Sequence, residues 1–250
     1  MNCTEHFKQM NKGFDFGQAL AEVDRCLLCH DAPCSKACPA ETDPAGFIRK
    51  FRFRNITGAI RTIKQNNILG GACGVLCPTA ELCEKECSAT GIGQPIAIGK
   101  IQRFLIEHAR ELDFQVLEKA DPRPQKVAVV GSGPSGLTVA GDLILLGYDV
   151  TIFEAFHKPG GVLMYGIPEF RLPKTIVEQE VDYVRQLGVR FEMNQVIGKS
   201  LTIDELFDLL HAHPNYALLF YRQWVVSDPD LRSVEWEKLI PFFRRWSGEI

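Results

Sequence analysis

The stretch CLLCHDAPCSKACP (residues 26–39) places four cysteines within thirteen residues. A second run, CGVLCPTAELCEKEC (residues 73–87), holds four more, so eight of the nine cysteines lie between Cys26 and Cys87. In a chain without an export signal, such density is more typical of metal binding or catalysis than of disulfides. The two runs therefore predict a metal centre in the first half of the chain, while Cys3 stands alone.

The spacing of the cysteines narrows the kind of metal. The first run reads C-x2-C-x4-C-x3-C-P and the second C-x3-C-P-x4-C-x3-C. Zinc sites favour paired C-x2-C hooks, of which only one is present, whereas iron-sulfur clusters accept looser spacing and often place proline after a cysteine. The pattern favours iron-sulfur, with zinc and structural thiols or disulfides as alternatives. By arithmetic, eight cysteines fit two four-iron clusters.

Composition limits the class of protein. The 250 residues are 46% apolar and 24% charged, with a net charge of −3. These values suit a globular protein of two domains and indicate no nucleic-acid partner. The longest apolar stretches are shorter than the roughly 18 residues that cross a bilayer. Because MNCTEHFKQMNKGF (residues 1–14) has no basic start followed by an apolar core, we expect a cytoplasmic protein without a membrane partner.

Helical patterns surround the cysteines over residues 1–119. Thr42 or Asp43 is the expected N-cap of a helix with Pro44 at its first position, and a further helix over TGAIRTIKQNN is expected to end near the glycines of ILGGACG. The stretch AIGKIQRFLIEHAREL forms one amphipathic helix, with Gln102 inside its apolar stripe. A buried amide requires hydrogen-bond partners, and a backbone carbonyl in the core is the ordinary one.

After a Pro-rich linker at residues 120–126, the pattern changes to strand, glycine turn, helix and strand over residues 127–205. Gly131 permits a tight turn, Gly133 lets the backbone approach a pyrophosphate, and Gly136 allows close helix packing. Glu154 ends the second strand, where it is placed to accept from a ribose hydroxyl. These features predict a Rossmann-like dinucleotide site and leave FAD and NAD open. Clusters beside such a site are typical of an electron-transfer oxidoreductase.

Five segments together carry a family resemblance: CLLCHDAPCSKACP, CGVLCPTAELCEKEC, PIAIGKIQRF, VAVVGSGPSGL and PGGVLMYGIPEFRLPK. Over residues 20–205 they resemble the iron-sulfur flavoprotein module shared by dihydropyrimidine dehydrogenases and the glutamate synthase small subunit. Their details are most similar to the small subunit of the bacterial NAD-dependent dihydropyrimidine dehydrogenases. The implied fold is an α-helical two-cluster iron-sulfur domain followed by an α/β Rossmann-like FAD-binding domain, which is incomplete here.

The resemblance implies specific ligands. One 4Fe-4S cluster would be held by Cys26, Cys29, Cys34 and Cys87. The other would be held by Cys38, Cys77, Cys83 and Gln102, which leaves Cys73 out and accounts for a glutamine in an apolar stripe. The implied FAD contacts are Gly131, Ser132, Gly133, Pro134, Ser135, Gly136, Glu154, Gly161, Val162, Arg171 and Val196.

In this family, electrons pass from NAD(P)H through FAD and the clusters to a partner subunit whose own flavin reduces a pyrimidine. The resemblance thus implies an oxidoreductase subunit in a hetero-oligomer, with no pyrimidine-reducing catalytic residue of its own. A glutamate synthase-like electron donor is the alternative within the family.

The resemblance stops near residue 215. No GxGxxG for a nicotinamide cofactor follows residue 136, and residues 206–250 form a divergent tail that contains all three tryptophans. The expectation is a chain truncated or frameshifted in this region. The competing hypothesis is a non-catalytic cluster-binding module without a nicotinamide site.

Overall fold

A computed structural model describes residues 12–111, 116–206 and 216–220; the lone Cys3 and most of the tail lie outside these ranges. The first part is helical. Its helices are α1 (Phe16–Asp24), α2 (Pro33–Lys36), α3 (Pro44–Arg52), α4 (Ile56–Asn66), α5 (Gly70–Leu76) and α6 (Ile98–Glu111). Two 3-10 turns, Thr79–Glu81 and Ser88–Gly91, lie between α5 and α6.

Local capping explains where these helices begin. Asp15 and Gln18 form a reciprocal capping box at the start of α1. Asp43, rather than Thr42, is the N-cap of α3, and its carboxylate accepts from the Gly46 N–H at 3.0 Å. The predicted helix over TGAIRTIKQNN is confirmed as α4, which ends at Asn66 shortly before the glycines, and those glycines begin a helix of their own, α5.

The second part is a parallel sheet with helices packed on it. Its elements are β1 (Lys126–Val130), α7 (Pro134–Leu145), β2 (Asp149–Glu154), α8 (Val162–Tyr165), α9 (Lys174–Gln186), β3 (Arg190–Met193) and β4 (Tyr216–Phe220). The strand order is β3-β2-β1-β4, the order in which a Rossmann sheet is built. Strand β4 pairs with β1 along its whole length, although it comes from the range assigned to the divergent tail.

The glycine turn between β1 and α7 has the geometry that the motif predicts. Gly131 adopts φ +94°, a backbone angle at which any residue with a side chain would be strained. A Cβ on Gly136 would lie 2.0 Å from the Gly131 carbonyl oxygen, so no side chain fits there. A Cβ on Gly133 would meet nothing within 4 Å, so this backbone faces open space. The turn is therefore closed against the helix and open where a ligand would approach.

The two parts share one apolar core. A single cluster of buried side chains contains Ile63 and Ile106 from the helical part together with Ile176 and Val181 from α9. No helix within the described residues is long and apolar enough to cross a membrane.

Candidate metal centre and dinucleotide site

The first cysteine group consists of Cys26, Cys29, Cys34 and Cys87. These four residues line one cavity, although Cys87 belongs to the second run in the sequence. All four thiols are free. The apolar walls of this cavity come from Ile48, Ile96 and Ile98.

Burial and mutual repulsion shape the chemistry of this group. The pKa of Cys34 rises to about 11, chiefly because its thiol is buried and secondly because Cys26 and Cys87 lie beside it. The Ile96 N–H donates to the Cys87 Sγ at 3.5 Å. Such thiols become thiolates readily only when a cation compensates their charge, which bound iron would do.

The second cysteine group consists of Cys38, Cys77 and Cys83. Burial raises the pKa of Cys77 to about 11 and that of Cys83 to about 12, and Cys38 contributes to both shifts. Cys73 faces the same group, since its charge raises the pKa of Cys77. The carboxylate of Glu84 adds to the repulsion at Cys77 and Cys83.

Gln102 lies beside this second group and is only 5% exposed. Its Nε2 donates to the Gly70 carbonyl at 2.7 Å, which is the backbone hydrogen bond that an ordinary core glutamine makes. Its side chain also interacts with the Cys73 thiol and lowers the pKa of that thiol, against the larger effect of burial. The amide nitrogen is therefore held by the backbone, while the side chain faces the cysteines.

The surroundings of the second group fit a bound cluster. Thr42 is fully buried, and its N–H donates to the Cys38 Sγ at 3.4 Å. The Thr42 hydroxyl has no hydrogen-bond partner among the described residues. A buried hydroxyl without a partner is costly, and an acceptor such as a cluster sulfur would satisfy it. Within the described ranges, no three His, Cys, Asp or Glu side chains form a site for a single metal ion.

The dinucleotide site centres on Ser132 and Glu154. One Glu154 oxygen accepts from the Ser132 N–H at 2.8 Å and from the Ser132 hydroxyl, and the other accepts from the Phe156 N–H at 2.9 Å. Glu154 is only 4% exposed, so the carboxylate ties the end of β2 to the glycine turn. Pro134, Ser135 and Gly136 form the first turn of α7.

A second glycine pair packs against this turn. The Gly160 N–H donates to the Ser132 carbonyl at 3.1 Å, and a Cβ on Gly161 would lie 2.7 Å from the Gly133 Cα. Val162, which follows, is 56% exposed beside the turn. The structure thus brings together the predicted residues from Gly131 to Gly136 with Glu154, Gly161 and Val162.

Two predicted FAD residues lie farther along the chain. Val196 is exposed next to Gln195, whose N–H donates to the Glu154 carbonyl at 2.9 Å, so this segment passes the end of β2. Arg171 is exposed on the loop between α8 and α9, with its N–H donating to the Pro168 carbonyl. Their contacts with FAD stay a prediction.

Sequence reasoning missed the charged neighbours of the cysteines. The Arg52 guanidinium donates to the Cys26 carbonyl at 2.6 Å and lowers the pKa of Cys26, against the larger effect of burial. Glu84 lies beside the second group and accepts from the Gly99 N–H at 3.1 Å. Arg52 reaches Cys26 through tertiary packing, so no local pattern marks it, whereas Glu84 follows Cys83 directly in the sequence and could have been noticed there.

Two protein-family models match the chain. Residues 3–114 match the family described as dihydropyrimidine dehydrogenase domain II, 4Fe-4S cluster, and residues 129–178 match the NAD(P)-binding Rossmann-like domain. These two matches cover the cysteine groups and the glycine turn.

Three curated relatives align with most of the chain. The NAD-dependent dihydropyrimidine dehydrogenase subunit PreT of Salmonella typhimurium is 44% identical over 201 residues, which is 80% of this chain and 49% of that protein. The PreT subunit of Escherichia coli O157:H7 is 46% identical over 188 residues, 75% of this chain and 46% of that protein. The putative oxidoreductase UacF of Escherichia coli K12 is 34% identical over 203 residues, 80% of this chain and 32% of that protein.

The chain thus spans about half the length of the PreT subunits that it matches. The similarity runs through both the cysteine-bearing helical part and the Rossmann-like part. Over this shared region, the chain is similar to the PreT subunits of NAD-dependent dihydropyrimidine dehydrogenase, and its helical part matches the dihydropyrimidine dehydrogenase domain II family with its 4Fe-4S cluster.

Proposed function

We propose that this chain is an iron-sulfur flavoprotein subunit that carries electrons from NAD(P)H, through FAD, to two 4Fe-4S clusters. The observation that carries the proposal is the sorting of the cysteines into two partly buried groups in one helical part, which packs against a Rossmann-like part with a glycine turn. In such an assembly a flavin accepts a hydride as an electron pair and releases single electrons to clusters.

The residues of the chain have distinct tasks in this function. Cys26, Cys29, Cys34 and Cys87 would hold the first cluster. Cys38, Cys77, Cys83 and Gln102 would hold the second, with the Gln102 nitrogen kept on the Gly70 carbonyl so that its oxygen faces the iron. The N–H groups on the Cys38 and Cys87 sulfurs would stabilise added negative charge on each cluster.

The Rossmann-like part would bind the dinucleotide. The backbone around Gly133 and the first turn of α7 provide donors and a positive dipole end for the pyrophosphate. Glu154 would exchange a hydrogen bond within the protein for one to the ribose, because its carboxylate already lies at the turn. Gly161, Val162, Arg171 and Val196 would complete the contacts with FAD.

The final acceptor would be a partner subunit that contains its own flavin and reduces a pyrimidine. This proposal follows the names of the relatives, which are called subunits of a dihydropyrimidine dehydrogenase. The nicotinamide-binding step would be supplied by residues other than those described. A glutamate synthase-like donor is less well supported, because the two PreT relatives carry dihydropyrimidine dehydrogenase names.

The test is to purify the chain anaerobically, measure iron and flavin, and add NADH. We expect about eight irons per chain, four in each cluster, and one FAD. Loss of the flavin absorbance on adding NADH would identify an active electron-transfer subunit. Iron without flavin would overturn the flavoprotein proposal in favour of a cluster-binding module, and absence of iron would overturn both.

The ligand scheme has its own test in two variants. Gln102→Ala should perturb one cluster and spare the other, whereas Cys73→Ser should leave about eight irons per chain. Electron paramagnetic resonance of the reduced protein distinguishes the two clusters. Loss of iron in the Cys73→Ser protein, with Gln102→Ala unaffected, would instead indicate an all-cysteine second site.

A further inference from the structure

We infer that Glu180 is a positioning residue through which the Rossmann-like part holds helix α5, so that the second cysteine group binds its metal only when the two parts are docked. The inference rests on the proposed function only in taking that metal to be an iron-sulfur cluster. It assigns a role to a buried carboxylate that neither the cysteine pattern nor the glycine turn explains.

The contacts of Glu180 join the two parts directly. Glu180 lies on α9, and its Oε1 accepts from the Gly71 N–H at 2.6 Å and from the Ala72 N–H at 3.2 Å. Both donors belong to the first turn of α5, the helix that contains Cys73 and is followed at once by Cys77. A shift of α5 would therefore move the cysteines that it carries.

Glu180 is an unusual residue at its position. It is 2% exposed and occupies the apolar stripe of α9 together with Ile176, Val177, Val181 and Val184. A buried carboxylate is strongly unfavourable unless hydrogen bonds or an opposite charge compensate it. Here the compensation consists of the two N–H groups of α5 and of the buried Lys64 on α4, so the carboxylate is stable only while the two parts are in contact.

Lys64 makes a second contact between the helical part and the Rossmann-like part. Its Nζ donates to the Ile68 carbonyl at 2.9 Å and lies 4.4 Å from the centre of the Tyr183 ring on α9. Lys64 thus links the segment just before α5 to the same helix that carries Glu180. Two polar links, one on each side of the Gly70 position, hold the start of α5 against α9.

The glycines of α5 permit this close packing. A Cβ on Gly71 would lie 3.1 Å from the Glu180 Oε1, and a Cβ on Gly74 would lie 2.8 Å from the Arg103 backbone nitrogen on α6. Helix α5 is therefore packed closely between α6 and α9, with no room for a side chain at Gly74 and little room at Gly71. Gln102 on α6 fixes the same turn from the opposite side through the Gly70 carbonyl.

The first cysteine group lacks this dependence. The residues that line its cavity all fall between Cys26 and Ile98, within the helical part. Removing the Glu180 contacts should therefore affect the second group selectively. This selectivity distinguishes a positioning role from a general loss of stability.

The experiment uses the full chain with Glu180→Ala, the conservative Glu180→Gln, and the control Glu178→Ala. Glu178 lies on the same helix but pairs with Lys158 at the surface. We expect Glu180→Ala to bind about four irons instead of about eight, with the resonance signal of the second cluster lost. Glu180→Gln keeps an oxygen acceptor for the Gly71 N–H and should retain nearly all of the iron, as should the control.

A second readout does not require bound iron. In chain stripped of metal, we expect Glu180→Ala to increase the rate of iodoacetamide labelling at Cys73 and Cys77 at least about tenfold over wild type, while labelling at Cys26 and Cys34 changes little. Mass spectrometry of the peptides measures each rate. A wild type without iron would refute the proposed function, yet these labelling rates would still test the role of Glu180.

The inference is overturned if Glu180→Ala keeps eight irons and the wild-type labelling pattern, or if it loses both clusters equally while remaining folded by circular dichroism. If Glu180→Ala does not fold, the Gly71→Ala variant tests the inference instead. The added methyl group would crowd the Glu180 oxygen while leaving the carboxylate in place. Selective loss of the second cluster in Gly71→Ala would support the inference, and unchanged iron would overturn it.

Discussion

The two cysteine groups both offer thiols but differ in how the fold builds them. The first group lies in a cavity formed only by the helical part, with Arg52 bonded to the Cys26 carbonyl. The second group depends on α5, which Glu180 of the Rossmann-like part holds, and it has the Glu84 carboxylate beside it. The first group therefore has a cationic neighbour and is built by the helical part alone. The second group has an anionic neighbour and depends on contacts between the two parts.

This difference has a direct electrochemical meaning. Reduction adds negative charge to a cluster, so a nearby cation favours the reduced form and a nearby anion disfavours it. Arg52 should accordingly raise the reduction potential of the first cluster, and Glu84 should lower that of the second. The second should be the more sensitive to the docking of the Rossmann-like part.

The largest expected effect is the loss of a whole cluster, which tests the assignment of the cysteines to two groups. Cys87 belongs to the second run in the sequence but to the first group in space. We expect Cys87→Ser to lose about four of about eight irons and to abolish the same resonance signal as Cys34→Ser. Cys83→Ser, the matched control from the second group, should abolish the other signal; a shared signal for Cys87→Ser and Cys83→Ser would contradict the grouping.

A smaller effect concerns the stability of the interdomain contact. Burial raises the pKa of Glu180 from 4.5 to about 7, while Lys64 and the N–H groups of Ala72 and Gly71 act in the opposite direction. Because the folded chain binds this proton more tightly than the unfolded chain, the contribution to stability is complete below pH 4.5 and is lost as the pH rises through 7. The loss is about 3 kcal/mol at most.

The measurement is the difference in the free energy of unfolding in urea between wild type and Glu180→Gln from pH 5 to 8. Lys64 and Tyr183, the titratable groups that lie close to Glu180, are present in both proteins. The wild type should lose stability relative to Glu180→Gln as the pH rises. A difference that stays constant, or that grows in favour of the wild type, would contradict the raised pKa of Glu180.

The smallest effect is a shift in potential. Glu84→Gln removes a negative charge beside Cys77 and Cys83, so the midpoint potential of the second cluster should rise by about tens of millivolts at low ionic strength. Arg52→Gln should lower that of the first cluster by a similar amount. Redox titration followed by electron paramagnetic resonance measures both midpoint potentials, and Glu86→Gln is a control at an exposed position. Equal shifts of both clusters in either variant would show that Arg52 and Glu84 do not act on separate clusters.

Local features of the fold were predicted from the sequence with good accuracy. Asp43 caps α3, and Gly136 packs against the Gly131 carbonyl, because capping and tight turns depend on residues only a few positions apart. The buried Gln102 was found through a polar residue in an apolar stripe. The same signal marks Glu180 on α9, and it was overlooked because no motif surrounds it.

Several long-range contacts were not predicted. Strand β4 pairs with β1 although its segment differs in sequence from the family pattern, because strand pairing is made by backbone groups that every residue carries. Arg52 approaches Cys26 from a helix distant in the chain, and no spacing rule describes such a contact.

The sequence by itself determined the chemistry of this protein: eight clustered cysteines and a glycine turn followed by a glutamate specify the types of site, because ligand atoms and backbone freedom belong to residue identity. The tertiary structure decided how those residues are shared. Spacing alone left the grouping of the cysteines open, whereas the fold places Cys87 beside the first run, Gln102 beside the second group, and Glu180 between the two parts. Such sharing depends on which helices pack together, and packing is a property of the whole core.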